Sequence, residues 1–548
     1  MQRPFSVYCT WGLHDELGDR VELSEALAGG ALETLARWRQ DLGLTYDFFV
    51  LDCFWFDPEK GYLHFKRPHW PDGFEPLRDR ILALGMRPGL WYSTNGGCLH
   101  VPAWEPSRTG DNGNYSLVDG PYADLFEAAL HYAAREWQVR FFKFDFADFH
   151  AAAMGVTRPR QETYRRSVER FVAILRGLRS AFSDIYCILH CGFARGEPDG
   201  DRVGTPDGPT VDPSLLAACD AVFSGDPHPF DVPQTHLVRN LDLYQDRQVW
   251  RLHQTGFPLH RIEDHGIIIA TTNTCCYRGR AGVRRTHLGQ LARGGRRDLF
   301  YGNPALLSDE DARAMLRTRS LFFDAFARDL TTQFVGAGEP GTVPWHGYLT
   351  GGGNAGLLYL VNATLTPQHI SQIVPGVFAA APLYWSGVER PNIQTQPDVL
   401  SISLAPEQAV LIGLGAYASD TAALGGDNDP PTPRQATLLP LTFVPTDTGL
   451  TATYADQPPA GAHLHVVVRV LDAGVHGMPT ALPHRFARQN TRTSDDMRPA
   501  AHSYVRITAN ADGRALTPVA RIPDVPVWSG ISWVAATFAA EPCEITVT

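Results

Sequence analysis

Phe141-Phe142-Lys143-Phe144-Asp145-Phe146-Ala147-Asp148 places a lysine and an aspartate two residues apart inside a run of aromatics. Successive side chains along a β-strand point to opposite faces, so Lys143 and Asp145 share one face. Two charges among phenylalanines are costly to bury unless they pair or serve chemistry. A carboxylate beside a lysine is kept ionised, which suits a nucleophile. A structural ion pair at a strand end accounts for the same residues, and the segment by itself leaves both readings open.

Outward from this strand, the first 300 residues alternate short apolar strands with amphipathic helices. Strands are predicted at Ser6–Thr10, Asp47–Phe56, Met86–Tyr92, 139–146, 184–190, 219–224, 247–252 and 266–274. Helices are predicted at Leu23–Leu42, Phe74–Leu84, from Pro121 onward, and at 161–182, 232–245 and 284–299. In the first of these, Leu32, Leu35 and Trp38 fall at helical spacing. Such alternation implies a parallel sheet with helices outside. Eight strands suit a closed barrel, so the expected class is α/β, a (β/α)8 TIM barrel over residues 1–328. A loop rich in Gly, Asn and Pro runs to about Gly120, and loops of that length are often functional. Beyond about residue 330 no helical periodicity competes with the strand pattern. A C-terminal β-sandwich is expected over 329–420. A linker follows over 421–437, where Gly425 to Pro433 is rich in Pro, Gly and Asp. A second all-β module is expected over 438–548.

The 548 residues are too many for one ordinary domain. The hydrophobic share of 44% and charged share of 20% are those of a soluble globular protein. A net charge of −11 argues against nucleic acid and anionic membranes as partners. The N-terminal MQRPFSVYCTWG has no charged region followed by an apolar one, and no run reaches the length of a membrane helix. The 9 cysteines include no CxxC pair, which reads as reduced thiols in a cytoplasmic setting.

In a (β/α)8 barrel the catalytic groups stand at the C-terminal ends of the strands. Trp11, Asp52, Trp91, Lys143, Asp145, His190, Cys191 and Asp226 are expected there. Asp145 and Asp226 end the fourth and sixth predicted strands. Two carboxylates facing one pocket can cleave a glycosidic bond, one attacking or activating water and the other donating a proton. Asp220 and Asp231 flank Asp226; the first reads as a strand end and the second as a helix N-cap. His190, His228, His253 and His260 show no HxH or HExxH spacing, so no metal site is expected.

The strand FFKFDFAD resembles the K-x-D nucleophile strand of melibiase-type α-galactosidases, glycoside hydrolase family 36, and their clan relatives in families 27 and 31. Five further segments agree in order. DFFVLDCFWF, ending at Phe56, resembles the family's FVLDDGWF strand. Pro71-Asp72-Gly73-Phe74 with LGMRPGLW (84–91) resembles its P-x-G-L…LGM-x-x-G-L-W helix and strand. His190-Cys191-Gly192 resembles its Cys-Gly strand end, and Phe223-Ser224-Gly225-Asp226-Pro227 resembles its S-G-D segment. LFYGNPALLSDEDAR (299–313) resembles the stretch that closes the barrel. The resemblance covers roughly residues 5 to 415.

It implies a retaining glycoside hydrolase acting on an α-linked glycoside. Asp145 would be the nucleophile and Asp226 the acid/base. Lys143 and Asp52 would hold sugar hydroxyls, Trp11 and Trp91 would form apolar walls, and Cys191 with Gly192 would line the floor. The substrate would be an oligosaccharide or glycoside, with no cofactor; a homo-oligomer is left open. The family's two adjacent acids are here Asp52 and Cys53, one acceptor fewer for the sugar's outer hydroxyls. A transglycosylase of the same clan and a non-catalytic sugar-binding relative stay open as alternatives.

Overall fold

The structure is a computed structural model. It describes residues 3–14, 22–97, 99–110, 113–193, 211–225, 237–264, 266–269, 282–364, 366–387, 390–419, 424, 439, 441–470, 506–518, 520–522 and 532–548. Strands and helices alternate as β1 (Phe5–Cys9), α1 (Glu25–Leu42), β2 (Phe48–Leu51), α2 (Glu75–Ala83), β3 (Arg87–Ser93), α3 (Tyr122–Glu136), β4 (Phe141–Asp145) and α4 (Arg160–Ala181). The series continues with β5 (Tyr186–Leu189), α5 (Pro213–Ala218), β6 (Ala221–Phe223), α6 (Leu237–Gln254), β7, α7 (Val283–Ala292), β8 (Arg297–Gly302) and α8 (Asp309–Ala327). β7 comes in two pieces, Ile262–Glu263 and Ile267–Ile269.

Every pairing in this sheet is parallel. β1 bonds both β2 and β8. The first piece of β7 bonds β6 and the second bonds β8, which closes the ring through the broken strand. The result is the expected (β/α)8 barrel. Side-chain alternation sorts its residues into two cores. Phe141 joins Val7, Val50, Ile188 and Leu299 inside the barrel, while Phe142 and Phe144 enter the layer between strands and helices. Local chemistry sets the ends of several elements. Ser24 caps α1 by accepting the Leu27 N–H, and Gly43 ends that helix in the left-handed conformation. Ser308 and Asp311 form a reciprocal capping box on α8.

The last quarter of the barrel departs from the sequence reading. Residues 247–252, expected as a strand, lie inside α6. Residues 297–299, expected at the end of a helix, begin β8. The predicted strand 266–274 is β7's second piece, and its remainder from 270 lies outside the described residues. The cause is burial of charge. Asp242, Gln245, Asp246, Arg247 and Gln248 on α6 are all buried, as are Arg297 and Asp298 on β8. Polar residues that face inward erase the periodicity by which an amphipathic element is read.

Beyond α8, five antiparallel strands form one sheet, in the order Thr332–Gly336, Trp345–Gly352, Ala355–Asn362, Ala409–Gly415 and Ala380–Trp385. A three-stranded sheet of Gln368–Ile373, Val399–Leu404 and Ile393–Gln396 shares a core with it through Leu358, Leu360, Ile370, Leu400 and Ile412. The other face of the larger sheet packs on α7 and α8, where Leu288, Leu291, Phe322 and Phe326 meet Tyr348, Leu357 and Tyr359. Further sheets between Val444 and Val547 have their own core, around Ala509, Phe538 and Ile545. Of the expected linker, only Leu424 lies among the described residues. Among those residues, no helix is long and apolar enough to cross a membrane.

Candidate active site

The inward side chains at the C-terminal ends of the strands form a polar layer above an apolar lumen. Cys9 comes from β1, Lys143 and Asp145 from β4, Glu263 from β7 and Tyr301 from β8. Asp52 and His190 stand one residue past β2 and β5. Every one of these side chains is buried.

Asp145 ends β4, and neutral donors orient its carboxylate. Oδ1 accepts the backbone N–H of Phe146 at 2.9 Å and of Cys191 at 3.0 Å. Oδ2 accepts the Trp91 indole N–H at 3.0 Å. Phe146 takes φ of +48°, a conformation that bulky side chains rarely adopt and that often marks a functional site. That turn aims the Phe146 N–H back at Oδ1. On the neighbouring strand end, Gly192 has φ of +90°, and a Cβ there would stand 2.1 Å from the Ala147 carbonyl oxygen. Only glycine lets these two strand ends approach so closely, and the approach brings the Cys191 N–H onto Asp145.

Lys143 pairs with Asp52, not with Asp145. Its Nζ donates to Asp52 Oδ2 at 2.9 Å, and Cys9 Sγ lies 3.0 Å from the same oxygen. The ammonium also sits 5.1 Å from the centre of the Tyr301 ring. Burial pushes the Asp52 carboxyl up, but Lys143, with hydrogen bonds from Cys9 and the Cys53 N–H, holds it below its ordinary value. Burial pulls Lys143 down; Asp52, Cys9 and Asp145 outweigh that and raise it. Asp145 thus acts on Lys143 through space while its own oxygens bind N–H groups.

Beyond Tyr301 the chain of contacts continues to Glu263, which accepts the Tyr301 hydroxyl on Oε1. His190 Nε2 lies 3.3 Å from the same oxygen, and its ring stacks on Phe223 at 4.4 Å. Burial pushes the Glu263 carboxyl up, but His190, Lys143 and Tyr301 together bring it below its ordinary value. Tyr301 is pushed up by burial and by Glu263.

The other expected residues take these places. Trp91 is buried against Phe56 and Phe146 and stands behind Asp145 as a hydrogen-bond donor. Trp11 is half-buried at the top of the lumen, with its ring edge-on to His14. Cys53 Sγ lies 3.7 Å from His14 Nε2. Asp226 lies outside the described residues, directly after Gly225. Asp148, given no role by the sequence, is held by the long loop after β3: Asn95 accepts its N–H at 2.7 Å and donates to its carbonyl at 2.9 Å. A second brace joins Arg158 to Asp119 on the same loop. Among the described residues, no cluster of His, Cys, Asp and Glu could hold a metal ion. Sequence reasoning missed Glu263 and Tyr301. The usable signal was Ile262-Glu263-Asp264, an acid pair ahead of three isoleucines, once β7 is placed there.

No protein-family model and no curated protein matches the chain. Solved structures do. The galactosidase domain of the α-galactosidase–sucrose kinase AgaSK matches with a TM-score of 0.50 at 13% identity, over 75% of this chain and 55% of that one. The GH36 α-galactosidases AgaB and AgaA of Geobacillus stearothermophilus each give 0.50 at 15% identity, with the same coverage. The chain resembles the GH36 α-galactosidases in fold. It spans about 55% of the length of these three.

Proposed function

We propose that this protein is a retaining glycoside hydrolase that cleaves an α-linked glycoside, α-galactosidase-like, with Asp145 as nucleophile and Asp226 as acid/base. The observation that carries the reading is the setting of Asp145. It stands at the C-terminal end of a barrel strand, faces the lumen, and is held by three N–H donors. Oδ2, with the single indole donor, has the freer lone pairs for attack. It would bond to the anomeric carbon while the bond to the leaving oxygen breaks, and Asp226 would protonate that oxygen. Asp226 would then take a proton from water, whose oxygen displaces Asp145 and restores the carboxylate. Two displacements retain the anomeric configuration.

Lys143 and Asp52 provide a donor and an acceptor side by side, the pair a sugar hydroxyl needs. Lys143 spends one of its three N–H groups on Asp52, leaving others for substrate. Cys9, Cys187, Cys219 and Cys543 are free and buried, which supports a reducing, cytoplasmic setting.

The neighbours by fold bear the name α-galactosidase, so aryl α-galactosides are the first substrates to test within a screen of aryl α-glycosides. On the substrate cleaved fastest, Asp145→Asn is expected to lower turnover by about 10³-fold or more while the melting temperature stays near that of the parent. Near-normal turnover by that variant would remove Asp145 from the nucleophile's role.

A further inference from the structure

Glu263 has one carboxylate oxygen that the described residues leave unsatisfied. Oε1 takes the Tyr301 hydroxyl and lies within reach of His190 Nε2. Oε2 is buried and, among the described residues, has no hydrogen-bond partner. The residue is 1% exposed. His190 and Lys143 hold its carboxyl below the ordinary value, so at neutral pH it is an acceptor only. An acceptor buried without a donor is destabilising, and each case in a folded protein calls for an explanation. Its position supplies one. Glu263 faces the lumen at the end of β7, in register with Phe223, whose ring stacks on His190. One tyrosine ring separates it from Lys143, which bonds Asp52. A molecule seated on Lys143 and Asp52 would stand on the same polar layer as Glu263.

We infer that Glu263 is a substrate-contacting, specificity-determining residue: Oε2 accepts a hydrogen bond from one hydroxyl of the sugar seated on Lys143 and Asp52. It thereby selects the orientation of that hydroxyl. The inference rests on the reading of the barrel mouth as a sugar site. Sites built to bond a particular hydroxyl reject the analogue that lacks it, because the buried partner is then left unpaired.

Calorimetric titration tests this without requiring turnover. Methyl α-glycosides, their epimers and each monodeoxy analogue are titrated into the full chain and into Glu263→Gln. In the variant the Gln oxygen still accepts from Tyr301, and an amide N–H₂ replaces the free acceptor. The parent sugar is expected to bind Glu263→Gln about 10- to 100-fold more weakly. One monodeoxy analogue is expected to bind the unaltered protein with a similar deficit and to lose nothing further in the variant. If the variant fails to fold, Glu263→Asp, which keeps the charge and shortens the reach, enters the same cycle. Equal binding of the parent sugar by both proteins overturns the inference. So do losses that simply add for every deoxy analogue, as expected if a water or a purely structural role occupies Oε2. In either case the sugar-site reading survives. Failure of every glycoside to bind the unaltered protein overturns both.

Discussion

Lys143 and Asp145 have different partners although they share a face of β4. The alternation that puts both in the lumen was legible in FFKFDFAD, because a strand's period of two is fixed by the backbone. The ion-pair partner was not, because Lys143 reaches Asp52 on another strand, 91 residues away in sequence. Local spacing carries no information about such a contact. Nor did composition hint that three N–H groups, one of them the Trp91 indole, orient Asp145. The Lys143–Asp52 pair is buried on both sides, so removing the cation strands a carboxylate in the lumen. Lys143→Met is expected to lower unfolding free energy by about 3–5 kcal/mol, measured by chemical denaturation at pH 7. A change under about 1 kcal/mol would show that Asp52 does not depend on Lys143 for its charge.

At the scale of elements, the strands through β6 were placed close to their observed positions. They are apolar runs bounded by turns, and their helices carry one buried face. The reading departs from the structure in the second half of α6, at β7 and at the start of β8, because the elements there bury charge. Val249 and Leu252 sit three apart on one helix, yet the intervening residues gave no exposed polar stripe to reveal it. β7 was obscured by its break: Asp264 Oδ1 accepts the Gly266 N–H at 3.1 Å, and the ladder passes from β6 on one side to β8 on the other. Glu263, which belongs to this element, was missed with it. Gly192 lies three residues past the end of β5, where it admits the Ala147 carbonyl and sets the Cys191 N–H on Asp145.

Across the whole molecule, a buried ionic network ties the barrel to the sheet behind it. Arg293, the C-cap of α7, donates to Asp246 on α6 at 2.8 Å and to Asp264 at 2.7 Å. Asp246 also lies 2.9 Å from His346 Nε2 and accepts the Tyr348 hydroxyl at 3.0 Å; both come from the strand Trp345–Gly352. Burial opposes the charge on Asp246, but Arg293 and then His346 overcome it and bring the carboxyl down to about 2. A depressed acid stabilises the fold above its unfolded-state value, and that contribution is lost as pH falls through the folded value. For Asp246 the window runs from about pH 4 down to about pH 2. Asp264, which burial raises, works in the opposite sense. Asp246→Asn leaves Arg293 short of a counter-charge and is expected to cost about 3–5 kcal/mol at pH 7. Its denaturation midpoint should fall less steeply than the parent's between pH 4 and pH 2. Parallel pH profiles for the two proteins would show that Asp246 does not carry this dependence.

The central claim is that Asp145 forms the covalent bond to the sugar. A fluorinated α-glycosyl substrate slows hydrolysis of such an intermediate, so it can be captured and located by peptide mass spectrometry. The account predicts one added fluoroglycosyl group per chain, carried by Asp145 within the peptide that contains residues 141–148. An adduct on any other carboxylate, or cleavage of a natural glycoside with inversion at the anomeric carbon and no adduct at all, would contradict it.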